Sequence, residues 1–305
     1  MTSPLTSQAL ADVLDPLFRD IAMGEYDKGQ SRIPELFDVQ SSDRDSEKFS
    51  EITPLGKFTE FNGAVQYQGI EQGYDVSATH VEFTSGVQIQ RKLYDDDQHN
   101  VISDIFAGLG GGAFKTQEDD AADILNSAFS LPSSFYSHSA GVALCSNSHT
   151  CPDSSISTTT GFDNLITSDL TPTSLSAAIV QFRQFKDDAG DKIDYVPNEL
   201  WVPVDLEARA KEILQTSVGL DDANQNVNTL KGAFTLKTWS RLSDSNNYFL
   251  CNSDLRMKNM VWFWRVKLEL SKMEAFDNYM AKARGYMRYS YLWRNWRFIL
   301  GAQVT

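Results

Sequence analysis

Four groups of residues in this chain have types and spacings that would do chemistry. Asp95, Asp96, Asp97 and His99 form the densest acid–histidine cluster, of the kind that holds a divalent ion or performs acid–base catalysis. It follows a stretch of strand pattern and precedes a helical one. Acids in the first turn of a helix are expected there on dipole grounds alone. Cys145, His149 and Cys151 are zinc-ligand types. Their spacing matches no common structural site, no second cysteine pair follows, and Cys251 is distant in sequence. A Cys145–Cys151 disulfide has little support in a chain with an odd number of cysteines. The run LGGGAFKTQ looks like a phosphate-binding loop, but that motif needs glycine directly before the lysine, and here Phe114 precedes Lys115. No Gly-x-Ser-x-Gly elbow accompanies the four histidines, His80, His99, His138 and His149. No catalytic, cofactor-binding or metal-ligating residue is assigned on this basis, and the chain is read as a protein other than an enzyme.

The elements around these groups are more informative. Leu10, Val13, Leu14, Leu17, Phe18 and Ile21 make a helical stripe over 7–22, with Pro16 inside it as a kink or early stop. Residues 23–56 are polar and without period, an extended arm or linker. Over 57–94, Val65 and Tyr67 alternate with glutamines, and Val87, Ile89, Arg91 and Leu93 do so again. This period of two predicts a long antiparallel hairpin. A lone two-stranded ribbon is marginal in water, so its support is expected to be another molecule. Val65, Tyr67, Val87, Ile89 and Arg91 are therefore the candidate intersubunit contacts. Two helical stripes follow, at 101–109 and 121–129, separated by glycines 110–112, with a capping box starting at Thr116. Residues 131–173 read as loops with short strands. A helix capped by Thr173 and ended near Gly190 comes next, then the strand ELWVPV and a helix begun by Asp205. Strand-like runs dominate from 226 onward.

The 305 residues carry a net charge of −14, unevenly distributed. Residues 256–305 hold ten basic and three acidic side chains, so the remainder carries −21. An acidic body argues against holding nucleic acid by charge neutralisation. The basic segment is also the most aromatic, from Phe276 to Phe298, which fits a buried element with charges on its exposed face. A basic end on an acidic body also favours self-association of identical chains. No apolar run approaches the ~20 residues of a membrane span, no leader is readable, and the chain is expected to be soluble and intracellular when made.

Six stretches in order, TQEDDAADILNSAFS, ALCSNSH, SLSAAIVQFRQFKDDAGDKI, NELWVPVDLEARAKEIL, ANQNVNTLKGAFTL and YSYLWRNWRFILGA, resemble the major capsid proteins of tailed phages, closest to the Mu-like major head subunit. The resemblance covers residues 116–303 by motif. It implies an α+β, Hong Kong 97-type fold. Carried onto this chain, 1–56 would be the N-terminal arm and 57–94 the extended loop. Residues 95–139 and 244–305 would form the peripheral domain with its spine helix, and 140–243 the axial domain. It implies pentamers and hexamers of the chain closing into an icosahedral shell around double-stranded DNA, without sequence-specific binding. Scaffolding, portal and decoration proteins are the further partners, and the place is the virion, assembled in host cytoplasm. No scaffold-like N-terminal extension is visible, so a scaffold would be a separate protein or removed earlier. No Lys–Asn cross-linking pair is assignable. The alternatives are an encapsulin-like nanocompartment shell, an acidic enzyme using the Asp95–His99 cluster, and a virion decoration or tail protein.

Overall fold

Apolar residues at 102, 106 and 109 line one side of a helix, and a second group from 121 to 125 continues it onto a different core. In the computed structural model these two stripes belong to one long helix. The structure describes residues 7–65, 67, 69–70, 72–90, 101–131, 133–218, 227–275 and 280–304.

The helices are α1 (Ser7–Lys28), α2 (Ile33–Leu36), α3 (Val101–Asn126), α4 (Pro172–Phe182), α5 (Val204–Gln215) and α6 (Ser253–Asn259), with a 3-10 turn at Trp296–Phe298. The strands are β1 (Asp38–Ser41), β2 (Ser46–Ile52), β3 (Gln72–Thr79), β4 (Val81–Gln90), β5 (Tyr136–His138), β6 (Leu165–Ile166), β7 (Glu199–Val202), β8 (Thr235–Thr238), β9 (Tyr248–Cys251), β10 (Met260–Ala275), β11 (Met280–Trp293) and β12 (Ile299–Ala302). They form a four-stranded sheet, β1-β10-β11-β4, a five-stranded sheet, β6-β12-β9-β7-β8, and a three-stranded sheet, β2-β3-β5. This is an α+β architecture.

The glycines at 110–112 do not break α3. Gly110 lies where α1 crosses, and a methyl group there would overlap the backbone carbonyl of Ala22. Glycine is therefore the residue that lets the two helices touch, and Phe18 meets Phe106 edge to face at 4.4 Å. Thr116 is inside the helix, donating to the Gly112 carbonyl instead of capping. The segment read as an unstructured arm is also tied down. Tyr26 donates to Gln117 at 2.6 Å, and the buried Glu118 accepts from Ser31 and from the Arg32 amide. β1 then adds in parallel to β10, with Asp38 opposite Val261.

The expected hairpin over 57–94 is corrected by the strand pairing. β3 pairs with β2 and β5, whereas β4 pairs with β11. The second run is strand β4, whereas Val65 and Tyr67 of the first run lie in no strand among the described residues. On β4, Val87 and Ile89 turn toward α1 and α3, and Gln88 and Gln90 are exposed.

The five-stranded sheet carries the densest core. β7, β9 and β12 bury every side chain they hold. This sheet takes β9 and β12 from outside residues 140–243, so the division by sequence does not follow the sheet. α4 is capped by Thr171, two residues before the expected Thr173. Thr171 and Ser174 bond reciprocally, and Pro172 occupies the first turn, where its missing N–H costs nothing. Its helix ends at Phe182, before Gly190. α5 starts beside Asp205 as expected.

A projecting loop and its root

With β2 and β3 antiparallel from Ser46 opposite Thr79 to Ile52 opposite Gln72, the intervening stretch is the far end of a hairpin. It holds no strand among its described residues. It does hold six of the chain's exposed large apolar side chains, Leu55, Phe58, Phe61, Val65, Tyr67 and Ile70, next to Ile52 at the end of β2. Phe58 is 97% and Tyr67 93% exposed. Fully burying one such side chain gains about 1.5–3 kcal/mol, so this tip withholds most of its hydrophobic energy from its own fold.

The root is the opposite. Val76 and Ala78 of β3 pack on Val261, Phe263 and Leu292, so the three-stranded sheet covers one half of the outer face of the β10–β11 ribbon. Phe49 stacks on Phe263 at 5.9 Å, and the Arg294 guanidinium lies 3.9 Å over the Phe49 ring. Polar contacts fix the edges. Tyr74 and Thr150 share a hydrogen bond at 2.6 Å, the Asp75 amide donates to Ser139, and Asn295 donates to Glu51. Burial, helped by the nearby Asp188 carboxylate, pushes the Glu51 carboxyl above its ordinary range despite the Asn295 bond and the Arg297 charge. Lys57 pairs with Asp191.

Among the described residues, nothing covers the other half of that outer face. Beyond the bulges near Val266, Met273 lies opposite Lys282 and Lys282 opposite Gln88. Ser271 and Gly86 flank Arg284 in the same way. These rows line a groove of about 580 Å³. Lys282 and Arg284 of the basic segment thus lie on the sheet face turned away from the helices, while Arg256 and Arg297 are buried in ion pairs elsewhere.

The five candidate contact residues are not brought together. Val65 and Tyr67 are at the tip. Val87 is half-buried, and Ile89, 4% exposed, packs with Phe18, Ile102 and Phe106 of its own chain. Arg91 lies outside the described residues. Sequence reasoning missed Phe58 and Phe61. Their signal was two aromatics three residues apart in a segment with no period to bury them.

The chemical candidates separate as well. Asp95, Asp96, Asp97 and His99 lie outside the described residues. Cys145 is buried, and burial pushes its thiol, like that of Cys251, well up. His149 stacks on Trp296 at 4.2 Å and donates to Asn164 at 2.8 Å. Burial brings its pKa down to about 3. Among the described residues no group of three His, Cys, Asp or Glu side chains could hold a metal ion, and no helix is long and apolar enough to cross a membrane.

The family model described as phage capsid protein matches residues 73–301. Among solved structures, the chain is similar to the mature capsid of bacteriophage PhiM1, with a TM-score of 0.61 and 8% identity over 91% of this chain and 88% of that one. It is similar to the capsid of Cyanophage P-SCSP1u at 0.59 and 13%, over 90% and 88%. It is also similar to the capsid of bacteriophage JBD30, decorated with minor capsid protein trimers, at 0.57 and 15%, over 70% and 92%. No curated protein matches the sequence.

Proposed function

Since the chain belongs to the phage capsid protein family and is a subunit of a shell built from many copies of itself, we propose that its projecting loop is the bridge between those copies. One observation carries this reading: a chain that buries most of its described aromatics elsewhere leaves Phe58, Phe61 and Tyr67 in the open. The receiving surface is the uncovered outer face around Gly86, Ser271, Met273, Lys282 and Arg284 of a neighbour. The loop's own root already covers the adjoining half of the same face, so a neighbour's tip extends an existing packing layer. Val65 and Tyr67 remain contacts in this reading, while Val87 and Ile89 hold the receiving sheet to its helices.

Pentamers and hexamers would close heterologous contacts into an icosahedral shell enclosing the double-stranded DNA of a tailed phage. The loop spans 46–79 in this account. The four-stranded sheet with α1 and α3 makes the peripheral part, and the five-stranded sheet with α4 and α5 the axial part. The total area buried per chain should exceed the ~1,600 Å² of a standard interface. The net charge of −14 keeps packaged DNA from adhering to the wall. Scaffolding, portal and decoration proteins are the expected partners, the role is structural and not catalytic, and assembly takes place in host cytoplasm before the virion is complete. The Mu-like branch of the family is proposed on the six ordered sequence stretches.

Expression of the full chain followed by electron microscopy tests this. Closed shells are expected, and monomers under every salt condition would overturn it. Nucleic acid inside particles formed in infected cells supports the phage-head reading. An enzyme cargo docked by a peptide would instead mark a nanocompartment, which the family match disfavours.

A further inference from the structure

His80 is the single residue between β3 and β4, where the chain leaves the loop sheet and joins the four-stranded sheet. It is 4% exposed. Its Nε2 lies 3.1 Å from Ser42 Oγ, in the corner between β1 and β2, where the chain first turns toward the loop. Its Nδ1 lies 2.8 Å from Ser290 Oγ, fully buried on β11. One imidazole thus joins the strand leading into the loop, the strand leading out and a central strand of the body.

The proton positions follow from counting donors. The single Ser42 hydroxyl proton goes to Glu47 Oε1 at 2.7 Å, and Ser42 Oγ already accepts from the Arg44 amide at 3.2 Å. Ser42 can therefore only accept from the ring. Nε2 carries the proton, and Nδ1 is bare and accepts from Ser290. The chain runs one way, from Ser290 through His80 and Ser42 to the Glu47 carboxylate, and each hydroxyl has one orientation.

We propose that neutral His80 is the pin that sets the angle at which the loop leaves the body, and that protonating it releases the loop. A proton on Nδ1 would face the Ser290 hydroxyl proton and force that group to turn. The new charge would sit in a buried corner facing Arg288 of β11 and Arg265 of β10. Glu47 of β2 and Asp45 before it favour the charge, but burial and the two arginines outweigh them and hold the imidazole below its ordinary range. The consequence for assembly rests on the loop being the bridge between copies, whereas the pin itself is a property of the free subunit.

The test uses the unassembled full-length chain. In nitrogen NMR spectra, His80 should be the Nε2–H tautomer at neutral pH and titrate below an ordinary histidine. Hydrogen exchange of the β2 and β3 amides, corrected for intrinsic rates, should accelerate at least tenfold as that titration proceeds. α3 and the five-stranded sheet should stay protected. Ser42→Ala and Ser290→Ala should give the faster loop exchange at neutral pH, and they keep the test open should His80→Ala not fold. An Nδ1–H tautomer, loop exchange that is flat through the titration, or acceleration shared equally by all segments would overturn the pin. Loss of shells without these changes would bear on the bridging role alone.

Discussion

The five-stranded sheet and the projecting loop follow opposite rules. In β7, β9 and β12 every side chain is buried, and Trp201, Tyr248 and Phe249 are among the largest groups wholly removed from solvent. Between β2 and β3, the apolar groups of largest size face water. The two regions have similar side chains, so composition does not separate them. What separates them is whether the chain itself supplies a surface that buries them. The sheet is specified by its own burial and should be damaged by any change inside it. If the loop is the proposed bridge, contacts with other copies specify it, and it should tolerate changes that leave the subunit intact.

The largest expected loss of stability is in the sheet. Arg256 holds Glu199 with two hydrogen bonds, at 2.9 and 3.1 Å, and donates to the Leu36 carbonyl at 2.6 Å. Glu199 also accepts from Trp201 Nε1. Arg256→Ala leaves a buried carboxylate without its counter-charge, which costs about 3–5 kcal/mol. Chemical denaturation of the variant should show that loss. A change under 1 kcal/mol would mean that water reaches the pair and the sheet is less closed than described.

Acid should weaken the same region next. His149 has a pKa of about 3 in the fold, well below its ordinary value when unfolded. Between those values the unfolded chain binds the proton and the folded chain does not. The stability from this group is complete above the ordinary histidine value and declines as pH falls toward 3. A difference of this size is on the order of several kcal/mol. Unfolding measured from pH 7 to pH 4 should show the decline. His149→Gln, which keeps a donor for Asn164, should flatten the slope. An unchanged slope would assign the acid sensitivity to other groups.

How much of this was legible depended on whether the deciding contact was local. The strand at Glu199–Val202 and the helix beginning by Asp205 could be read because a short apolar run, Pro203 and an acidic first turn all lie within ten residues. The exposure of Val65 and Tyr67 could be read because their alternation with glutamines offers no apolar partner. The helix through glycines 110–112 could not, since low helix propensity is a local signal and the reason for glycine is the backbone of Ala22 across the packing. The strand carrying Ile89 was given to the loop for the same reason. A period of two shows that one face is buried, not what buries it.

That packing gives the third and smaller effect, with a change of sign two residues apart. Gly110→Ala must push α1 and α3 apart and should cost about 1–3 kcal/mol. A Cβ at Gly112 meets nothing within 4 Å, so Gly112→Ala should gain up to about 1 kcal/mol from helix propensity alone. Thermal unfolding of the two variants distinguishes them. Equal losses would mean that the glycines are kept for helix bending and not for contact.

The smallest effect on stability is expected where the effect on assembly is greatest. Phe58, Phe61 and Tyr67 touch almost nothing of their own chain, so replacing all three by serine should change the unfolding free energy by less than about 0.5 kcal/mol. Each replacement nevertheless removes about 1.5–3 kcal/mol of burial that a neighbour would supply. If every copy gives one tip and receives one, as proposed, the loss is repeated at each loop contact of the shell. Light scattering should show a folded subunit that no longer forms shells. If the triple variant instead loses stability as the sheet variants do, the tip folds onto its own body, and the contrast between a self-specified core and a partner-specified loop is wrong. If it is stable and still closes into shells, the contrast in burial holds but the bridging surface lies elsewhere, with the uncovered face around Lys282 and Arg284 next to be changed.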